Sequence, residues 1–217
     1  MQSPSVVATV LLVALTLIGL TLCLWLRTGR YRRPDETGPL PRHLWVVPAT
    51  PFVAVLVAGA LAERPWPVIL PYLVLVPAGL ALAAIDADVH RLPNAITLPL
   101  VPIEFALLIV ASAATGDWVA LRRAGLAGLI VGGGLLFLAL VLHGRSIGVG
   151  DAKLMLSVAA ALGWLSWLHL LGGLWLGFLL GGLLAVALLL TRRATRSSHL
   201  AFGPHLVAGA LLVVAFG

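Results

Sequence analysis

Long apolar runs separated by short polar stretches set the pattern of this chain. Residues 6–26, 44–62, 66–85, 96–114, 121–142, 152–164, 167–190 and 200–216 are predominantly hydrophobic. About 20 apolar residues suffice for a helix to cross the hydrocarbon layer, so the pattern predicts an all-α polytopic membrane protein of about eight transmembrane helices. The sixth run is short. Trp164 and Trp167 flank a turn around Ser166, which predicts two helices there, or seven spans in total if the two runs form one bent helix. The runs are unbroken, unlike the polar–apolar alternation of an outer-membrane barrel. So little chain remains between them that residues 1–217 read as a single membrane-embedded domain.

Composition agrees, with 61% hydrophobic and 10% charged residues, against roughly 25% charged in soluble proteins. The net charge of +6 would suggest nucleic acid in a soluble protein; here topology explains it first, and no nucleic-acid partner is expected. The N-terminal Met-Gln-Ser-Pro-Ser has no basic residue, and Arg27, Arg30, Arg32 and Arg33 follow the first run, reversing the charge order of a signal peptide. A retained first helix with its N-terminus outside is expected. Cytoplasmic loops would then also hold Arg42, Arg91, Arg145, Lys153, Arg192, Arg193 and Arg196, with Arg64, Arg122 and Arg123 outside. Residues 27–43 read as a short, basic, exposed cytoplasmic linker, able to attract anionic headgroups of the lipid bilayer. The single cysteine, Cys23, lies inside the first run, so one chain can build neither a disulfide nor a Cys-based metal site.

Ionisable groups inside a bilayer are costly, so each of the eight acids needs a reason. Asp35, Glu36, Glu63 and Asp117 sit in polar loops and read as solvated. Asp86, Asp88, Glu104 and Asp151 remain. Asp86 ends the third run and Asp151 opens the sixth; two crossings separate them, so both return to one membrane face. Two carboxylates sharing a site do not both ionise cheaply, leaving one proton acid beside one proton acceptor. Such a pair can activate water against a peptide carbonyl with no metal and no nucleophilic side chain. The alternative is that Asp151 is a first-turn acid in a glycine-rich helix start.

Gly148 and Gly150 permit close backbone approach, and residues 146–150 could line a water-filled cavity. Glu104 reads as a substrate-contacting acid, a partner for a basic group, or a neutral hydrogen-bonded carboxyl. Lys153 leaves its helix nearly opposite Asp151 and is expected to snorkel to the interface. His143, His169, His199 and His205 show no metal-ligand spacing. Gly125, Gly128 and Gly132, and Gly173, Gly177 and Gly181, have the spacing of close helix contacts. The tryptophans fall mostly near run ends, as an interfacial belt does.

Ile85-Asp86-Ala87-Asp88 with Leu92-Pro93-Asn94 and Thr97-Leu98-Pro99-Leu100 resembles the first aspartate motif of the prepilin peptidases, the type IV leader peptidases. Gly148-Val149-Gly150-Asp151-Ala152-Lys153-Leu154-Met155 resembles their second, the GxGD motif followed by Lys-Leu, and Ala201-Phe202-Gly203-Pro204 resembles a third pattern in the last helix. The resemblance runs in order from about residue 45 to 215. It implies an intramembrane-type aspartic endopeptidase whose catalytic residues are Asp86 and Asp151, with Asp88, Pro93, Asn94, Gly148, Gly150, Lys153, Phe202, Gly203 and Pro204 as supporting positions. It also implies a bacterial inner-membrane location, a site facing the cytoplasm, precursors of pilins or pseudopilins as substrates, and pilus or secretion machinery downstream.

Two departures qualify the resemblance. Larger relatives carry a cytoplasmic insertion with two CxxC pairs, associated with methylation of the new pilin N-terminus; this chain has only residues 27–43 there. Zinc and S-adenosylmethionine are therefore not implied, no cofactor is expected, and the resemblance is to a form that cleaves without methylating. Asn94 stands where many relatives have an acid, and retains capping ability at the next helix start. Two other classes of function remain: a transporter using Asp86, Glu104 and Asp151 as an ion or proton relay, and a noncatalytic assembly protein with the same fold.

Overall fold

The computed structural model describes residues 4–142, 148–191 and 203–217. Among them the regular structure is helical: α1 Pro4–Arg27, α2 Val46–Ala60, α3 Trp66–Val89, α4 Asn94–Thr115, α5 Trp118–Val141, α6 Val149–Leu165, α7 Trp167–Leu190 and α8 Gly203–Phe216. Five helical stretches (Thr9–Arg27, α3, α4, α5 and α7) are long and apolar enough to cross a membrane, while α2 and α8 are shorter apolar helices. The chain is a multi-pass membrane protein of about eight helices. Arg145, Arg192, Arg193, Arg196, His143, His199, Ser146 and Phe202 lie outside the described residues.

Ser166 does separate two helices. It is extended, at φ −170° and ψ 166°, and its hydroxyl accepts the His169 backbone N–H at 3.0 Å, capping α7 as it breaks from α6. The same end of α6 is closed from across the bundle, where the Arg123 guanidinium donates to the carbonyls of Gly163, Trp164 and Leu165. These are the last-turn carbonyls a helix leaves unpaired, so Arg123 has a local role besides its bearing on topology.

The core forms around α6, which is buried almost throughout. Ala159, Ala160 and Ala161 are fully buried, and their small side chains let neighbouring helices approach. Besides the Arg123 bonds, two more hydrogen bonds pin α6 to its neighbours: Trp164 Nε1 donates to Ser112 Oγ at 2.8 Å, and the Tyr72 hydroxyl donates to the Ala161 carbonyl at 2.9 Å. Trp164 is thus a core residue, whereas Trp66, Trp118 and Trp175 are more than half exposed, as lipid-facing rings are.

The glycine stripes divide. Gly173 and Gly177 of α7 meet Gly209 of α8 so closely that a Cβ on Gly209 would lie 2.6 Å from the Gly173 carbonyl. On α5, Gly128 and Gly132 abut Leu156 of α6, and residues Gly128–Gly133 form a π-helical turn. Gly125 faces open space instead of a helix, one position off that contact face.

Most of residues 27–43 are exposed, as expected of a linker, but two positions are not. Tyr31 and His43 are only 6% and 7% exposed. Gly29 makes the turn possible: its φ of +67° is left-handed backbone that glycine tolerates, and Leu40 packs against it. This strap folds back onto the end of α3 because its charged side chains find partners there.

Candidate active site

Helix α3 carries Asp86 to its last turn and then stops. His90, at φ +51°, breaks the helix while its backbone N–H still bonds the Asp86 carbonyl at 2.9 Å. Leu92 and Pro93 reverse the chain, and α4 begins at Asn94. On the facing side, Gly148 is extended, α6 starts at Val149, and Asp151 lies in its first turn.

The start of α8 joins the two. A Cβ on Gly203 would sit 3.1 Å from Oδ1 of Asp151 and 3.1 Å from Oδ2 of Asp86. The two carboxylate oxygens are therefore no farther apart than twice that distance. Asp86 is 4% exposed, and its Oδ2, beside the Gly203 backbone, has no well-formed hydrogen bond among the described residues; Asp151 is half-buried. The other glycines close the same wall. A Cβ on Gly150 would lie 2.9 Å from Leu92 Cβ, and one on Gly148 would lie 3.0 Å from Asp151 Oδ2. Glycine at these positions lets three chain segments converge on two acids.

Both acids open into a cavity of about 550 Å³ whose walls come from the α3–α4 turn, the start of α6, and the strap through Tyr31, Arg32 and Arg33. Gly148, Gly150, Pro93, Asn94 and Lys153 also line it. Among the described residues no group of three or more His, Cys, Asp or Glu side chains is arranged to hold a metal ion.

Several supporting residues have partners that the sequence did not indicate. Lys153 donates to Asn94 Oδ1 at 2.9 Å instead of ending free at the interface, and Asn94, the first residue of α4, takes that bond instead of capping the helix. Asp88 does not line the cavity among the described residues. It accepts from Arg32 at 2.6 and 2.8 Å and from the Tyr31 hydroxyl at 2.5 Å. Glu36, expected to be solvated, accepts from Arg91 at 2.5 and 2.7 Å. Pro204 follows Gly203 at the start of α8.

The strap's electrostatics follow from these contacts. Arg91 holds the Glu36 carboxyl down at about 2, and burial, with Asp88 beside it, pushes the Tyr31 phenol up to about 12. Burial also lowers His43, whose Nε2 lies 3.3 Å from the Tyr31 hydroxyl.

Glu104 is fully buried in α4, and among the described residues neither of its oxygens has a hydrogen-bond partner. Of the three readings of Glu104, the hydrogen-bonded carboxyl and the partner of a basic group are thus not found among the described residues. Sequence reasoning missed Tyr31, Arg32, Glu36 and Arg91. The one signal was a lone tyrosine among arginines in an otherwise polar stretch.

Comparison with known proteins follows the same residues. The type IV leader peptidase family matches residues 73–191. The chain is similar to the prepilin leader peptidase/N-methyltransferase of Aeromonas hydrophila, 34% identical over 211 residues that cover 94% of this chain and 68% of the relative. It is also similar to the protein of that name from Aeromonas salmonicida strain A449, 33% identical over 143 residues covering 63% of this chain and 46% of the relative. No solved structure matches the chain significantly.

Proposed function

Since the chain belongs to the type IV leader peptidase family, and is by that membership a membrane protease with a leader peptidase role, we propose that Asp86 and Asp151 are its catalytic pair and that prepilin or pseudopilin precursors are its substrates. The observation that carries this is the convergence of both carboxylates on Gly203, within reach of one bound water. In the reaction, the ionised carboxylate takes a proton from water as the water oxygen attacks the scissile carbonyl carbon. The protonated carboxyl donates its hydrogen bond to the carbonyl oxygen, stabilising the tetrahedral intermediate. As the C–N bond breaks, the acceptor returns its proton to the departing amine, and the pair is restored.

The cut falls at the junction of a short basic leader and a hydrophobic helix. A cavity at the ends of α3 and α6 suits that junction, because the leader stays in water while the helix stays in lipid. On this reading the site faces the cytoplasm of a bacterial inner membrane, the N-terminus is outside, and the product passes to pilus or secretion machinery. The enzyme cleaves without methylating: the one cysteine of this chain cannot supply the paired cysteines associated with methyl transfer in larger relatives.

The test is coexpression with each pilin-like precursor of the same genome, following mass. Wild type should release the leader, and the product should lack the added mass of a methyl group. Asp86→Asn and Asp151→Asn should leave the precursor whole. Cleavage by both variants, or by no well-folded wild type, overturns the proposal.

A further inference from the structure

The strap enters the carboxylate cavity with three consecutive residues, Tyr31, Arg32 and Arg33. Two ion pairs secure it to the α3–α4 turn, one on either side of His90. On one side Arg32 grips Asp88 through both Nε and Nη2, and its remaining donors reach the carbonyls of Gly38 and Pro39 at 2.9 and 3.2 Å. On the other side Arg91 grips Glu36 and also donates to the Tyr31 carbonyl at 2.7 Å, while Glu36 accepts the Arg33 backbone N–H at 2.7 Å. One guanidinium thus ties the strap to α3 and to itself. The other ties the turn back to the strap.

The Arg32–Asp88 pair is shielded, with side chains only 12% and 7% exposed, and its forked geometry fixes direction as well as distance. A surface ion pair holds little in place; this one, with the Tyr31 hydroxyl as a third contact on Asp88, fixes the backbone that delivers Tyr31 and Arg33 to the cavity wall. Asp88 itself stays behind that wall.

Resting on the peptidase reading above, we propose that the strap forms a substrate-binding wall of the cavity through Tyr31, Arg32 and Arg33, and that Asp88 and Arg32 are positioning residues that hold this wall opposite the aspartate pair. Asp88 takes no proton in the reaction. A precursor peptide reaching Asp86 and Asp151 passes between the strap and the start of α6, so the latch governs how well the peptide is held, and the carboxylates govern how fast it is cut.

The experiment is steady-state cleavage of a synthetic precursor peptide by the full chain in detergent, comparing wild type with Arg32→Asp, Asp88→Arg, the double exchange, and Arg32→Lys. The single reversals should raise KM about tenfold with kcat within about twofold, and the double exchange should recover most of that loss. Arg32→Lys keeps the charge without the fork and should raise KM about threefold; it covers the case in which a reversal does not fold. Wild-type KM in every folded variant overturns the proposal and leaves the peptidase reading standing. A fall in kcat at constant KM, unrelieved by the exchange, also overturns it by moving Asp88 into the chemistry. If wild type cuts no precursor, the peptidase reading fails and the strap's role fails with it.

Discussion

Lys153 Nζ donates to Asn94 Oδ1 at 2.9 Å, linking the first turn of α6 to the first residue of α4. Both residues line the carboxylate cavity, and the bond ties the start of α6, which carries Asp151 two residues before Lys153, to the helix that follows the Asp86 turn. An acid at position 94 would accept the same donor, so Asn94→Asp should cleave a precursor within about twofold of wild type. Asn94→Leu removes the acceptor and should slow cleavage about threefold, a small loss because the contact is partly solvated. Initial rates on one precursor peptide decide between these outcomes.

The aspartate pair makes the largest prediction. Each of Asp86→Asn and Asp151→Asn should lower the cleavage rate by about three orders of magnitude or more, and the double variant should be scarcely worse than either, because residues that act as one unit do not contribute additively. Unchanged helical content and elution from a sizing column would show that chemistry, and not folding, was lost.

Gly203 and Gly209 lie on the same helix and should fail differently. A methyl group at position 203 enters the space between the two carboxylates, so Gly203→Ala should reduce turnover about tenfold with little change in melting temperature. At position 209 it meets the Gly173 carbonyl and the Gly177 Cα at 2.6 and 2.7 Å, where backbone cannot give way. Gly209→Ala should therefore destabilise the fold by about 1–3 kcal/mol, read as an earlier thermal transition in detergent.

Acid should loosen the strap before it affects the helices. The folded-state value of Glu36, about 2, is below its ordinary 4.5 because Arg91 holds the charged form. The unfolded chain therefore binds more protons between those values, and the stabilisation, complete above 4.5, is lost as pH falls toward 2. The protection of residues 28–43 against hydrogen exchange, taken relative to the intrinsic exchange rate at each pH, should fall over that window in wild type. Glu36→Gln should show low protection already at neutral pH and lose this pH dependence of protection.

Glu104→Gln tests the buried acid of α4. Neither oxygen of Glu104 has a hydrogen-bond partner among the described residues, and the amide has nearly the same shape, so the variant should cleave within about threefold of wild type. A collapse of activity with the fold intact would give Glu104 a part in the reaction.

Much of this protein was legible in its sequence because a bilayer is a demanding solvent. Every spanning segment must satisfy its own backbone hydrogen bonds, so the long runs at 66–85, 96–114 and 167–190 could only be helices, and the Trp164–Trp167 region with Ser166 marked a break. Acids are scarce in such a chain, which made Asp86 and Asp151 stand out, and counting crossings returned them to one face. What the sequence did not contain was the depth and direction of individual side chains. Residues 27–43 read as solvated because charged residues in a proline-rich stretch usually are; only the folded chain brings Arg32 to Asp88 and Glu36 to Arg91, pairings 56 and 55 positions apart. The same holds for Gly203, which the sequence offered only as a supporting position of the third motif, with no contact to explain it. Its role depends on three segments meeting at one point, and a meeting of that kind is fixed by packing between helices, which local pattern does not encode.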